Sequence, residues 1–75
     1  MKVESYMGIE QPVITIQKPT DLYPLLDYIQ SKMLDLSEEN GDEKASECAT
    51  FISTLMGQAE KEGYGSFEDI DNIEY

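Results

Sequence analysis

Residues 42–61 read DEKASECATFISTLMGQAEK, and the spacing of their apolar members decides the fold. Ala45, Cys48, Ala49, Ile52, Leu55, Met56 and Ala59 recur at steps that keep them on one face of an α-helix. Glu43 near the start and Lys61 near the end both suit the helix dipole. The stripe is rich in small residues, which lets another helix approach closely. Upstream, Leu22, Leu25, Leu26, Ile29, Met33 and Leu36 repeat the pattern, with Asp27, Gln30, Ser31 and Lys32 on the opposite face. Thr20 or Asp21 is the expected N-cap of that first helix, with Pro24 in its first turn. Ser37 to Gly41 closes it, Asn40 or Gly41 taking the left-handed conformation. So short a turn between two amphipathic helices predicts an antiparallel hairpin.

Outside the hairpin the signals are weaker. Val13-Ile14-Thr15-Ile16 is β-branched and lies between Pro12 and Pro19, which predicts a strand. Residues 2–7 alternate weakly up to Gly8, so the two segments can pair across residues 8–11. A lone hairpin is unstable in water and must lie on the helices or be completed by another chain. In the tail, Ser66 and Asp69 resemble a capping box, and Phe67, Ile70 and Ile73 recur every three residues. That spacing fits a short third helix, or an extended acidic tail anchored by Ile70 and Ile73. The expected fold class is mainly α with a small β element (α+β). One domain covers residues 1–75: a strand or hairpin over 1–19, a helical hairpin over 20–63 and an acidic tail over 64–75.

The charge is lopsided. Of 75 residues, 16 are acidic and 5 are basic, giving a net charge of −11, and every base is a lysine. Residues 1–20 sum to zero, so the entire imbalance lies beyond them. A chain of this length buries only about 60–65% of its unfolded surface, and such scaffolds usually gain stability from disulfides, a metal or a partner chain. With one cysteine, Cys48, and no histidine, an internal disulfide is excluded and a zinc site nearly so. Self-association is the remaining route, and a homodimer is expected. No secretory signal or membrane-length apolar run is visible, and an anionic membrane would repel the chain. The expected location is the cytoplasm.

Several chemistries fail on their residues. Counted from Asp35, a calcium loop needs glycine where Asn40 stands and glutamate where Ser46 stands. An acyl carrier protein shares the length and acidity, but its Asp-Ser-Leu motif is missing. Leu36-Ser37-Glu38 closes a helix, and Gly65-Ser66-Phe67 follows glycines. Cys48 lacks a histidine to activate it and falls on the apolar stripe, so it reads as a buried structural thiol. No cofactor or metal is expected, and no enzymatic activity. Five lysines against sixteen acids cannot neutralise phosphates, which argues against direct nucleic-acid binding.

The acids form two clusters. Asp35, Glu38, Glu39, Asp42, Glu43 and Glu47 surround the interhelical turn; Glu60, Glu62, Glu68, Asp69, Asp71 and Glu74 lie toward the C-terminus. An antiparallel hairpin would set them at opposite ends of a rod, with Asp21 and Asp27 joining the second. Solubility alone needs a net charge of only about 2–8, and like charges one turn apart, such as Glu43 and Glu47, cost roughly 0.2–0.5 kcal/mol each. Carboxylates one turn apart lie about 5–6 Å from each other along the axis, against one charge per roughly 1.7 Å in duplex DNA. Two clustered helices can therefore approximate a short piece of that field. In size and composition the chain resembles small phage and mobile-element inhibitors, including anti-restriction and anti-CRISPR proteins. That resemblance implies a non-enzymatic DNA mimic that occupies the basic groove of a nucleic-acid-handling enzyme. The alternative is a homodimeric adaptor, regulator or antitoxin-like protein that docks through its apolar helix face. Tyr28, off the stripe of helix one, is the expected aromatic contact to a partner.

Overall fold

A computed structural model describes residues 1–8 and 11–75. The chain runs β1 (Lys2–Glu4), β2 (Val13–Thr15), a 3-10 turn (Pro19–Asp21), α1 (Leu22–Asn40), α2 (Glu43–Lys61) and a second 3-10 segment (Phe67–Asn72). This is the α+β arrangement the spacing predicts. The two 19-residue helices each extend about 28 Å and pack as an antiparallel hairpin. Gly41 ends α1 at φ 64°, ψ 30°, its N–H donating to the Ser37 carbonyl at 2.9 Å. One residue on, the Asp42 carboxylate accepts from the N–H groups of Lys44 (3.0 Å) and Ala45 (3.2 Å), capping α2. A left-handed glycine followed directly by an Asx cap fixes the turn locally.

Between the helices, Ala45, Ala49, Met56 and Ala59 are buried, and the three alanines let the backbones draw close. Gln30, expected on the solvent face, reaches across instead. Its Nε2 donates to the Ala49 carbonyl at 3.1 Å and to the Ser53 hydroxyl. It borders the apolar stripe at about 3.6 residues per turn, so a long amide there can meet the neighbouring helix. Cys48, expected to be buried, is exposed, because only the alanine side of the stripe faces α1. Leu22 and Leu36 also lie at the open edge, 37% and 41% exposed.

The N-terminal strands pair antiparallel, with Lys2 opposite Thr15, Val3 opposite Ile14 and Glu4 opposite Val13. Both are shorter than the sequence suggests, and Ile16 is exposed outside β2. Part of the connection expected over residues 8–11 lies outside the described residues. Completion comes from the tail. Glu74 lies parallel beside Lys2, donating its N–H to the Met1 carbonyl at 3.0 Å and accepting from the Val3 N–H at 2.7 Å. The tail thus combines both expectations, a 3-10 turn followed by one extended, paired residue. Ile70 and Ile73 are half-buried, while Phe67 is 72% exposed and anchors nothing. The Cα envelope measures 34 × 32 × 14 Å, so the molecule as a whole is a thin slab, wider than the rod of the hairpin alone. The sheet and tail widen the hairpin without thickening it.

The corner where sheet, tail and α1 meet is organised by Asp21. The expected capping of α1 by its side chain does not occur: Asp21 sits at the N-cap with helical backbone angles and its carboxylate turns backward. There it accepts from the N–H groups of Gln17 (2.8 Å) and Lys18 (3.1 Å) and pairs with the Met1 ammonium at 3.1 Å. Thr20 does not cap the helix either; it falls within the preceding 3-10 turn. Pro24 is fully buried beside this corner.

Candidate acidic interface

All six carboxylates of the turn cluster are exposed. Asp35, Glu38 and Glu39 come from the last turns of α1, Asp42 caps α2, and Glu43 and Glu47 follow on its first turns. The negative dipole end of α1 and the positive end of α2 meet at the same turn and offset one another, so the charge of this surface is that of its side chains. Among the described residues only two ion pairs form, Met1 with Asp21 and Lys2 with Glu4. The turn cluster is therefore not neutralised by lysine. Nor do three carboxylates or thiols among the described residues converge enough to hold a metal ion. The arrangement is an open array, able to meet several separate cations at once.

The second cluster is less uniform. Glu60, Glu62, Glu68, Asp71 and Glu74 are exposed. Asp69 is half-buried, its carboxylate accepting from the Ser66 N–H at 2.8 Å and from the Ser66 hydroxyl at 3.4 Å. Asp21, expected to join this cluster, is 2% exposed and belongs to the core. Burial pushes its carboxyl pKa up, but the N–H of Gln17, the terminal ammonium and the N–H of Lys18 outweigh that and hold it below its ordinary value. Asp27 is half-buried.

Tyr28 is half-buried and lies in a cleft of about 670 Å³ between β2 and α1, with Pro12, Ile14 and Leu36 as its apolar neighbours. Asp35 and Glu39 stand at the same cleft, so the structure joins the expected aromatic contact to the expected acidic cluster. Lys32 Nζ rests 5.4 Å from the centre of the Tyr28 ring, a cation–π distance. The steps Tyr28, Lys32, Asp35, Glu39 already carried this signal, since they keep one face of α1. Phe51 escaped the sequence reading. It is 65% exposed on α2, and an aromatic residue off the apolar stripe was the sign that could have revealed it. Near it, Leu22, Leu26, Leu55, Ala59 and Tyr64 line an apolar groove of about 330 Å³. Compared with known protein families, curated proteins and solved structures, the chain matches none.

Proposed function

We propose that this protein is a non-enzymatic inhibitor that places its interhelical acidic array in the basic groove of a nucleic-acid-handling enzyme, excluding DNA or RNA by imitating its charge. The supporting observation is the set of six exposed carboxylates carried by two helix ends, with the turn between them fixed by Gly41 and the Asp42 cap. Fixed charges meet a groove without the ordering cost that a loose acidic coil would bear. The Tyr28 cleft, with Asp35 and Glu39 also on its lining, adds a seat for one arginine or lysine of the target over the ring that Lys32 now approaches. Such a protein acts in the cytoplasm, where phage or mobile-element defence inhibitors of this size and composition meet their targets. No helix here is long and apolar enough to cross a membrane.

The test is capture of a partner from host lysate at low and moderate salt, followed by inhibition assays with the recovered enzyme. Binding is expected to weaken steeply as salt rises. Reversing Glu39, Glu43 and Glu47 to lysine is expected to abolish inhibition while the thermal melt persists. Unchanged inhibition by the folded triple variant would remove charge mimicry as the mechanism.

A further inference from the structure

Residues 48–59 contain no charged side chain, although 28% of the chain is charged. This run forms the middle of α2, and its outward side is exposed at Cys48, Phe51 and Gln58. Lys44, Cys48, Phe51, Leu55, Gln58 and Glu62 follow one another at steps of four and three, within an arc of about 80° at 3.6 residues per turn. Leu55, Gln58 and Glu62 line the apolar groove together, so the C-terminal half of the stripe shares one surface. It lies beside the alanine face that packs on α1.

We propose that this stripe is a self-association surface, and that a second copy covers it with its own α2 running antiparallel about a two-fold axis at Ser53. In that register Lys44 meets Glu62 of the second copy, Cys48 meets Gln58, and Phe51 meets Leu55. Each contact occurs twice by symmetry, as an isologous interface requires. The charges at the ends are opposite in sign and the centre is apolar, with Glu62 the one member of the second acidic cluster drawn into the contact. Neither Lys44 nor Glu62 has an ion-pair partner among the described residues. The exposed area agrees with this occupant. The protein exposes 5482 Å², whereas a compact monomer of its mass is expected to expose about 4,650 Å². The excess, roughly 800 Å², belongs to the slab-shaped molecule as a whole and is of the size that one partner buries in a standard interface.

Sedimentation equilibrium of the full chain tests the proposal, with thermal melts to verify folding. The wild-type protein is expected to be a dimer. Lys44→Glu and Glu62→Lys are each expected to weaken it about fivefold, and the double exchange Lys44→Glu/Glu62→Lys to restore it. Glu62→Lys is the discriminating arm, because it lowers the net charge and would strengthen association if only overall repulsion mattered. Phe51→Ser, at an already exposed position, is expected to weaken the dimer about a hundredfold. A monomeric wild-type protein, a double exchange no better than either single change, or a dimer indifferent to Phe51→Ser would each overturn the assignment. Cys48 thiols in this register sit about 15 Å apart along the axis, so no disulfide between copies is expected.

Discussion

The two ends of the helical hairpin carry similar charge and use it differently. At the turn, local devices suffice: a left-handed glycine and one carboxylate that caps α2. Every acid there is exposed, and Asp42 alone is tied to the fold, through its cap. At the open end, local devices are joined by contacts distant in sequence. Asp21 joins the N-terminal ammonium to the approach of α1, Asp69 holds the tail's 3-10 turn, and the Glu74 backbone completes the sheet. Each end therefore ties a few acids into the fold, Asp42 at the turn and Asp21 and Asp69 at the open end, and leaves the rest exposed, but only the open end buries one, Asp21. What separates the two uses is whether backbone N–H groups and cations are within reach, not the local density of acids.

The largest expected effect lies at the open end. Asp21→Ala leaves a buried ammonium and two backbone donors without their acceptor, and is expected to destabilise the fold by about 3–5 kcal/mol, read by denaturant titration. The corresponding pH dependence follows from the sign of the shift. The folded carboxyl titrates below its ordinary value, so its contribution is complete above the unfolded pKa and disappears as pH falls through the folded one. Stability is expected to decline as pH drops below about 4, and the Asp21→Ala protein should lack that component of the decline.

Next comes Gly65, at φ 111°, where an added Cβ would collide with the Thr20 carbonyl oxygen and crowd Tyr23. The neighbouring Tyr64 carbonyl accepts from the Tyr23 N–H at 3.1 Å, so tail and α1 touch backbone to backbone. Gly65→Ala is expected to cost roughly 2–3 kcal/mol in the same titration. Equal stability of this variant would show that the tail is not seated against α1.

Smaller effects belong to the turn. Asp42→Ala removes the cap from α2 and is expected to cost about 1 kcal/mol. The least change is expected from charge reversal nearby. Glu39→Lys puts a cation at the C-terminal end of α1 and is expected to stabilise by about 0.3–1 kcal/mol, while Glu43→Lys does the opposite at the start of α2. Melting temperatures of the two single variants should therefore move in opposite directions. A turn cluster that proved as sensitive as Asp21 would erase the distinction between the two ends.

Much of this architecture was legible in the sequence because its causes are local. Helical periodicity, Gly41 and the Ser66–Asp69 box each act within four residues, and the structure contains all of them; the Asp42 cap that the structure adds is equally local. The misreadings arose at Gln30, Cys48 and Asp21, where the outcome depends on which neighbour arrives. Periodicity defines a face about 100° wide but not which edge of it the partner helix covers. That edge placed Cys48 in solvent and brought Gln30 across the interface. Tyr28 lies off the stripe, which marks it as a contact, yet the cleft it shares with Asp35 and Glu39 depends on β2 forming the other wall.

The amino-acid order alone determined two amphipathic helices, the reversal between them and the excess of negative charge, since spacing and composition act through neighbours along the chain. Only the tertiary structure decided which carboxylates are withdrawn from that charge, how the last residues complete the sheet, and which apolar side chains face water. Those outcomes depend on segments dozens of residues apart meeting in one corner, and nothing in the local pattern encodes the meeting.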